Sequence, residues 1–403
     1  MAVGLTPPDT LLPVPGIRLA ATAAGIRYHD RDDLVLVDAG PDAVVAALYT
    51  TNAFRAAPVV VAAEHQAAGH PRWLLINAGN ANAGTGADGL AAARRCCDAV
   101  AAVAGTAPDA VLPFSTGVIG EPLPVERITD ALPGLHAALQ PDAWLAAARA
   151  IITTDTVIKG GSRRVPLSGG TVTLTGIAKG SGMIHPDMAT MLGFVATDLQ
   201  IPAAELDALL RRANRDSFNA ITVDGDTSTN DALVCMASGA SGLTLATADD
   251  RETFAAALDE LCLHLAQAIV RDGEGATRFV TVEAAGGRDR DEAAAVATTV
   301  ALSPLVKTAL FAADPNWGRI LAAVGRAGLT DLAIERVAIS VNGVEIVRDG
   351  GRAPGYVEEA GQRAFSAEDI HIRIDLGRGA ACARRYTCDL SHEYVRINAE
   401  YRS

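Results

Sequence analysis

One lysine stands in a glycine-rich stretch that runs directly into an Ala-Thr pair: Gly176-Ile-Ala-Lys179-Gly180-Ser-Gly182-Met-Ile-His185-Pro-Asp-Met188-Ala189-Thr190-Met-Leu192. A threonine hydroxyl is a weak nucleophile unless a base sits beside it. Breaking the chain in front of the threonine supplies that base, because the freed α-amine has an ordinary pKa of about 7.7–8.0 and stays on the same residue. A break between Ala189 and Thr190 therefore makes nucleophile and base together. Gly176, Gly180 and Gly182 permit close approach of backbone to a ligand. Lys179 has small neighbours and no acidic residue beside it. A solvated lysine is the ordinary reading, and a substrate-facing one competes with it in this loop.

Four further groups carry possible chemistry. Ser115-Thr116-Gly117-Val-Ile-Gly120 follows the strand-like run 110–114, and a Thr-Gly pair at a strand end can aim a hydroxyl and a backbone N–H at one point, as an oxyanion hole requires. An ordinary small-residue turn explains the same letters. Thr153-Thr154-Asp155-Thr156 closes an apolar-periodic segment and reads either as local helix termination or as hydroxyls lining a polar pocket. Asp272-Gly273-Glu274-Gly275 reads as a helix-ending turn or as a site where Glu274 accepts an ammonium group. Asn398 and Ser403 lie in the last residues, where fraying is the default.

These residues need a scaffold. The runs 34–37, 58–61 and 73–76 are short and apolar or β-branched and read as buried strands. The turn-rich 77–86 leads into an alanine-rich helix that stops near Gly105. A helix is expected over 141–152 and a strand over 171–174. Leu206, Leu209, Leu210 and Ala213 give 203–215 the spacing of an amphipathic helix, and 252–271 repeats it before Gly273. Asn342-Gly343 between alternating runs signals a hairpin, followed by a strand at 370–376. The proline-rich first dozen residues read as a loose arm. The glycine-then-charge change at 284–292 marks a domain boundary, giving a catalytic domain 1–284 and a smaller C-terminal α+β domain 285–403. The class is α/β or α+β with several sheets.

Composition narrows the function. Among 403 residues, 49% are apolar, which suits a globular chain. A net charge of −13 with only 4% aromatics disfavours a nucleic-acid partner. The six cysteines lack metal-ligand spacing and read as small buried apolar residues, so no metal is expected. No apolar run reaches the ~18–20 residues of a membrane span, and no signal peptide is visible. A reducing cytoplasm fits this cysteine usage.

In combination the motifs resemble the glutamate N-acetyltransferases, the ornithine acetyltransferases of the cyclic arginine pathway. The match at 176–192 is joined in order by Leu75–Gly86, Ser115–Gly120, Thr153–Thr156, Ser217–Asp224, Asp226–Asp231, Asp272–Gly275, Ser303–Phe311, Asp314–Arg319 and Ile397–Ser403. The resemblance implies a layered α/β sandwich, like the N-terminal-nucleophile hydrolases in chemistry but different in connectivity. It implies self-cleavage at Ala189–Thr190 into an α chain 1–189 and a β chain 190–403, assembled as α2β2. Thr190 is then the acetylated nucleophile, and Thr116 and Gly117 form the oxyanion hole. Substrate contacts fall on Thr153, Lys179, Thr190, Glu274, Asn398 and Ser403, with Thr153 chosen over Thr154 by the family pattern alone. The substrates implied are N2-acetyl-L-ornithine and L-glutamate, with acetyl-CoA left open as a second donor and no cofactor required. A self-cleaving aminopeptidase or amidase, and a secondary-metabolite paralogue with another acceptor, are the rival readings.

Overall fold

The computed structural model describes residues 2–185 and 191–400. The chain divides into two compact units, one of residues 6–219 and 226–269, the other of residues 1–5, 220–225 and 270–403.

The larger unit is built on two sheets. One has four strands, in the order Arg18–Thr22, Leu34–Asp38, Trp73–Asn80 and Val111–Val118. The other has five, in the order Val44–Tyr49, Ala232–Ala237, Leu192–Thr197, Gly170–Lys179 and Lys159–Leu167. Side chains alternate across a strand, so each sheet has an inner and an outer face. Val35, Val37, Leu74, Ile76, Leu112 and Phe114 from the first sheet pack with Ile177, Phe194, Ala196, Val234 and Met236 from the second. Phe114 meets Phe194 edge-on at 5.3 Å between ring centroids, within the preferred geometry for aromatic pairs. On the outer face of the first sheet, Leu36, Trp73 and Leu75 pack on Cys97 and Val100 of helix Gly86–Ala104 and on Ile128 and Leu132 of helix Val125–Ala137. On the outer face of the second, helix Ala248–Arg271 lays Leu261 and Leu265 against Gly161 and Gly176, whose missing side chains make the room. Helices, sheet, sheet and helices thus form a layered α/β sandwich, as expected. Ala248–Arg271 is also long and apolar enough to cross a membrane; Phe254, Leu258, Leu261, Leu265 and Ile269 are instead fully buried in the protein.

The smaller unit has one six-stranded sheet, in the order Gly351–Arg352, Val344–Arg348, Ala338–Val341, Asp369–Asp375, Phe279–Gly287 and Ala381–Cys388. Helices Arg290–Ala301, Pro304–Phe311, Trp317–Gly325 and Glu358–Phe365 pack on it around Val280, Val282, Val296, Val300, Ile372 and Ile374. The hairpin at Asn342-Gly343 forms, with both residues at positive φ (47° and 79°), as a type I′ turn requires.

The helices 86–104, 203–215 and 248–271 and the strands at 34–38, 73–80 and 369–375 agree with the sequence reading. Five expectations differ. Residues 58–61 open helix Ala57–Ala68, with Pro58 in its first turn; the alanine-rich continuation and the preset φ of proline outweigh three valines. Helix 141–152 shrinks to Trp144–Ala150. The N-terminal arm is tied down: Leu12 N–H donates to Ser162 Oγ at 2.9 Å, and Thr175 Oγ1 donates to the Leu12 carbonyl at 2.8 Å. Cys382 is exposed, while the other five cysteines are buried. The 284/285 boundary falls inside strand Phe279–Gly287, so the division lies nearer 269/270. The glycines there mark a register shift at the strand end, and Asp289 caps the next helix by accepting from Glu292 N–H at 2.8 Å.

Candidate active site

Lys179 is the last residue of strand Gly170–Lys179 and is only 3% exposed. Its Nζ donates to Thr116 Oγ1 at 3.1 Å and to Thr153 Oγ1 at 3.0 Å, and lies 4.0 Å from Asp155 Oδ2. The polar strand ends of both sheets of this unit therefore converge on one ammonium. An ammonium only donates. Each threonine oxygen accepts from it, which turns the hydroxyl protons away from Lys179 and leaves them to donate elsewhere.

Thr116 and Gly117 stand near the end of strand Val111–Val118, in parallel register with Ala78 and Gly79. Gly117 has φ +133°, and a Cβ there would lie 2.2 Å from the Gly79 carbonyl carbon. Only glycine fits, because the two strands close up where the register shifts at Gly79 and Asn80. Behind them, Asn230 Nδ2 donates to the carbonyls of Ser115 at 2.9 Å and Ala81 at 2.7 Å, fixing that strand end.

Asp155 holds the Lys179 side together. Its Oδ1 accepts from Lys159 Nζ at 2.6 Å and from Gly180 N–H at 2.7 Å, and its Oδ2 accepts from Thr153 N–H at 3.0 Å. Burial opposes its charge, yet the Lys159 and Lys179 ammonium groups beside it, with the Lys159 and Gly180 hydrogen bonds, hold its carboxyl well below the usual range. One carboxylate thus fixes the Thr153 loop, the Lys179–Gly180 corner and a second buried lysine.

Asp231 behaves oppositely. It is 1% exposed, and its Oδ1 accepts from Met191 N–H at 2.7 Å. Burial pushes its carboxyl pKa well up, and the Met191 N–H, the Ser228 side chain and the Lys179 charge offset this only in part.

In the smaller unit, Glu274 and Asn398 come together: Asn398 Nδ2 donates to Glu274 Oε2 at 2.9 Å and to the Tyr394 carbonyl at 3.0 Å. The 272–275 turn docks closely on helix His392–Ala399. Ser391 Oγ donates to the Gly275 carbonyl at 2.6 Å, and a Cβ on Gly275 would lie 2.5 Å from Tyr394 N. Ala189, Thr190 and Ser403 lie outside the described residues. Among the described residues no group of three or more His, Cys, Asp or Glu is placed to hold a metal ion.

Sequence reasoning placed Thr116, Gly117, Thr153 and Lys179 as candidates, and the fold gathers the two threonine hydroxyls around the Lys179 ammonium. It missed the parts played by Asp155, Lys159 and Asp231. The four-residue spacing of Asp155 and Lys159 was a visible signal; the contact of Asp231 with Met191 comes from strands far apart in sequence and had none.

A buried ammonium met by two hydroxyls at the strand ends of a layered α/β sandwich is a place where a small polar ligand can be held. The family model described as ArgJ family matches residues 18–403, and the chain belongs to that family. It is an acetyltransferase of arginine biosynthesis. The chain is 54% identical over 407 residues to the arginine biosynthesis bifunctional protein ArgJ of Psychrobacter arcticus, covering 100% of both chains. With the Methylococcus capsulatus protein of the same description it shares 56% identity, over 98% of this chain and 97% of that one. The crystal structure of the Bacillus halodurans protein is 41% identical over 52% of this chain and 99% of that chain, with a TM-score of 0.50.

Proposed function

We propose that this chain cuts itself between Ala189 and Thr190 and then carries acetyl groups on Thr190, from N2-acetyl-L-ornithine to L-glutamate. The Thr190 hydroxyl attacks the Ala189 carbonyl, the acyl group shifts from nitrogen to oxygen, and water hydrolyses the ester. Mature Thr190 attacks the acetyl carbonyl of the donor, with its own α-amine as base through one water. Ornithine leaves, glutamate enters, and its α-amine takes the acetyl group, giving ping-pong kinetics.

The observation that carries this reading is the register of the five-stranded sheet. Lys179 pairs with Leu192 across antiparallel strands. Thr190 is two residues from Leu192, and two residues span at most about 7 Å. The reading accordingly puts Thr190 beside the cluster of Lys179, Thr116 and Thr153, a short reach from Leu192. Thr116 and the Gly117 N–H are assigned to the oxyanion, with hydroxyl proton and strand-end geometry suited to it; losing one such donor costs about 10²–10³ in rate. Lys179 and Thr153 are assigned to the substrate carboxylate. Glu274 gives Oε2 to Asn398, and the reading gives its Oε1 to a substrate ammonium; Asn398 and Ser403 complete the contacts by resemblance. The Bacillus halodurans chain supports the cut, since 99% of it is matched by 52% of this one, about the share of residues 190–403. The word bifunctional in the relatives' names supports acetyl-CoA as a second donor. An α2β2 assembly in the cytoplasm, without a cofactor, belongs to the same reading.

Intact-mass analysis tests it. Wild type should show two fragments divided after Ala189, and Thr190→Ala one inactive full-length chain. Mixing with N-acetylornithine should add an acetyl group to the β chain alone; a label elsewhere, or an active unbroken chain, sinks the assignment. Match along the full length of acetyltransferase relatives favours transfer over peptide or amide hydrolysis.

A further inference from the structure

Met191, the residue after Thr190, is clamped at both of its main-chain groups. Its carbonyl accepts from Ala232 N–H at 3.2 Å, the bond a parallel ladder supplies. Its N–H, for which the same ladder would offer a backbone carbonyl, goes instead to the Asp231 side chain at 2.7 Å. Asp231 is itself held, because its carbonyl accepts from Thr50 N–H at 3.1 Å. Both residues are 1% exposed. Asp231 Oδ2 is buried with no hydrogen-bond partner among the described residues. An ionised carboxylate would not be left so, and burial favours the neutral acid here. The bond from Met191 needs only an accepting oxygen, which a neutral acid or an amide supplies as well as a carboxylate.

The amide bonded to Asp231 is the one that joins Thr190 to Met191. Met191 follows Thr190 directly, so the Asp231 bond acts on the main chain next to the proposed nucleophile. We infer that Asp231 is a positioning residue, whose side chain anchors the Met191 amide next to Thr190, and that this anchor serves both self-cleavage and acetyl transfer. The inference rests on the Thr190 reading and deepens it. The role assigned to Asp231 is exerted through the main chain at Met191.

A misplacement of about 1 Å in a reacting group can cost about 10²-fold in rate. Asp231→Ala removes the anchor and is expected to slow processing of the precursor, and to lower kcat of the processed enzyme, by about 10- to 10²-fold with KM little changed. Asp231→Asn keeps the accepting oxygen and should process and turn over close to wild type. Should Asp231→Ala not fold, Asp231→Ser is read in its place, since its hydroxyl fits the site but falls short of the Met191 N–H. Processing is followed by intact mass, turnover by steady-state kinetics, and folding by thermal unfolding of each variant. A folded Asp231→Ala or Asp231→Ser that processes and turns over like wild type overturns the inference, as does a loss confined to KM or a folded Asp231→Asn as impaired as the alanine variant. Thr190→Ala, run alongside, separates the two readings: if it too is processed, the Thr190 assignment fails, whereas normal Asp231 variants beside an unprocessed Thr190→Ala sink only the anchor.

Discussion

Lys179 and Asp155 meet one problem from two sides: a cation must be kept charged in a buried place without being neutralised by a tight partner. Asp155 stands 2.6 Å from Lys159 and 4.0 Å from Lys179, so its closest pairing is with the lysine that does not touch the two threonines. Lys179→Met should therefore leave the Asp155–Lys159 pair standing and lose substrate binding. Hydrogen bonds to a charged group are worth about 1.5–3 kcal/mol, so kcat/KM in the transfer assay is expected to fall about 10- to 10²-fold; an unchanged value would remove Lys179 from the site. Asp155→Ala removes the carboxylate that faces the buried Lys159 ammonium and should cost about 3–5 kcal/mol in urea unfolding. Because folding lowers the Asp155 pKa, its contribution is present above the unfolded value of about 3.9 and is lost as pH falls below it. Asp155→Asn should accordingly flatten the loss of wild-type stability measured as pH falls below about 4.

At the scale of elements, the site depends on how strand ends meet. Gly117 and Gly79 are register partners, and no side chain fits on Gly117. Gly117→Ala combines a positive-φ strain with a backbone clash, each worth about 1–3 kcal/mol. A stability loss of roughly 2–4 kcal/mol is expected by chemical denaturation, with transfer activity lost in whatever folds; a fully stable alanine variant would show that the strand ends do not close as described. The element assignments that held were those with a long period or a specific turn chemistry, such as helix Ala203–Arg215 and the Asn342-Gly343 hairpin. Pro58-Val-Val-Val61 misled because a short apolar run has the same letters in a strand and in the first turn of a buried helix.

For the whole molecule, the place of the cut relative to the sheet decides what processing does. The five-stranded sheet is interleaved: Val44–Tyr49, Lys159–Leu167 and Gly170–Lys179 precede residue 189, and Leu192–Thr197 and Ala232–Ala237 follow it. Leu192–Thr197 is bonded to Gly170–Lys179 on one side and to Ala232–Ala237 on the other. A break between 189 and 190 therefore cuts one connection and leaves every ladder in that sheet intact. The two products should run as separate bands under denaturing conditions and elute as one species on native size exclusion. Fragments 1–189 and 190–403 expressed apart should be insoluble or unfolded, since each carries strands with unpaired edges; independently folded fragments would contradict the interleaved order.

The sequence by itself determined which residues are capable of the chemistry, since a lysine in a glycine-rich loop and a threonine that can become a chain terminus are local facts of residue type and spacing. It also determined the helices and turns whose signals are local. Tertiary structure alone decided which of those residues meet. Lys179, Thr116 and Thr153 converge, and Asp231 reaches Met191, through strand pairing between segments far apart in the chain. Pairing of that kind is set by register and core packing, which no window of sequence contains.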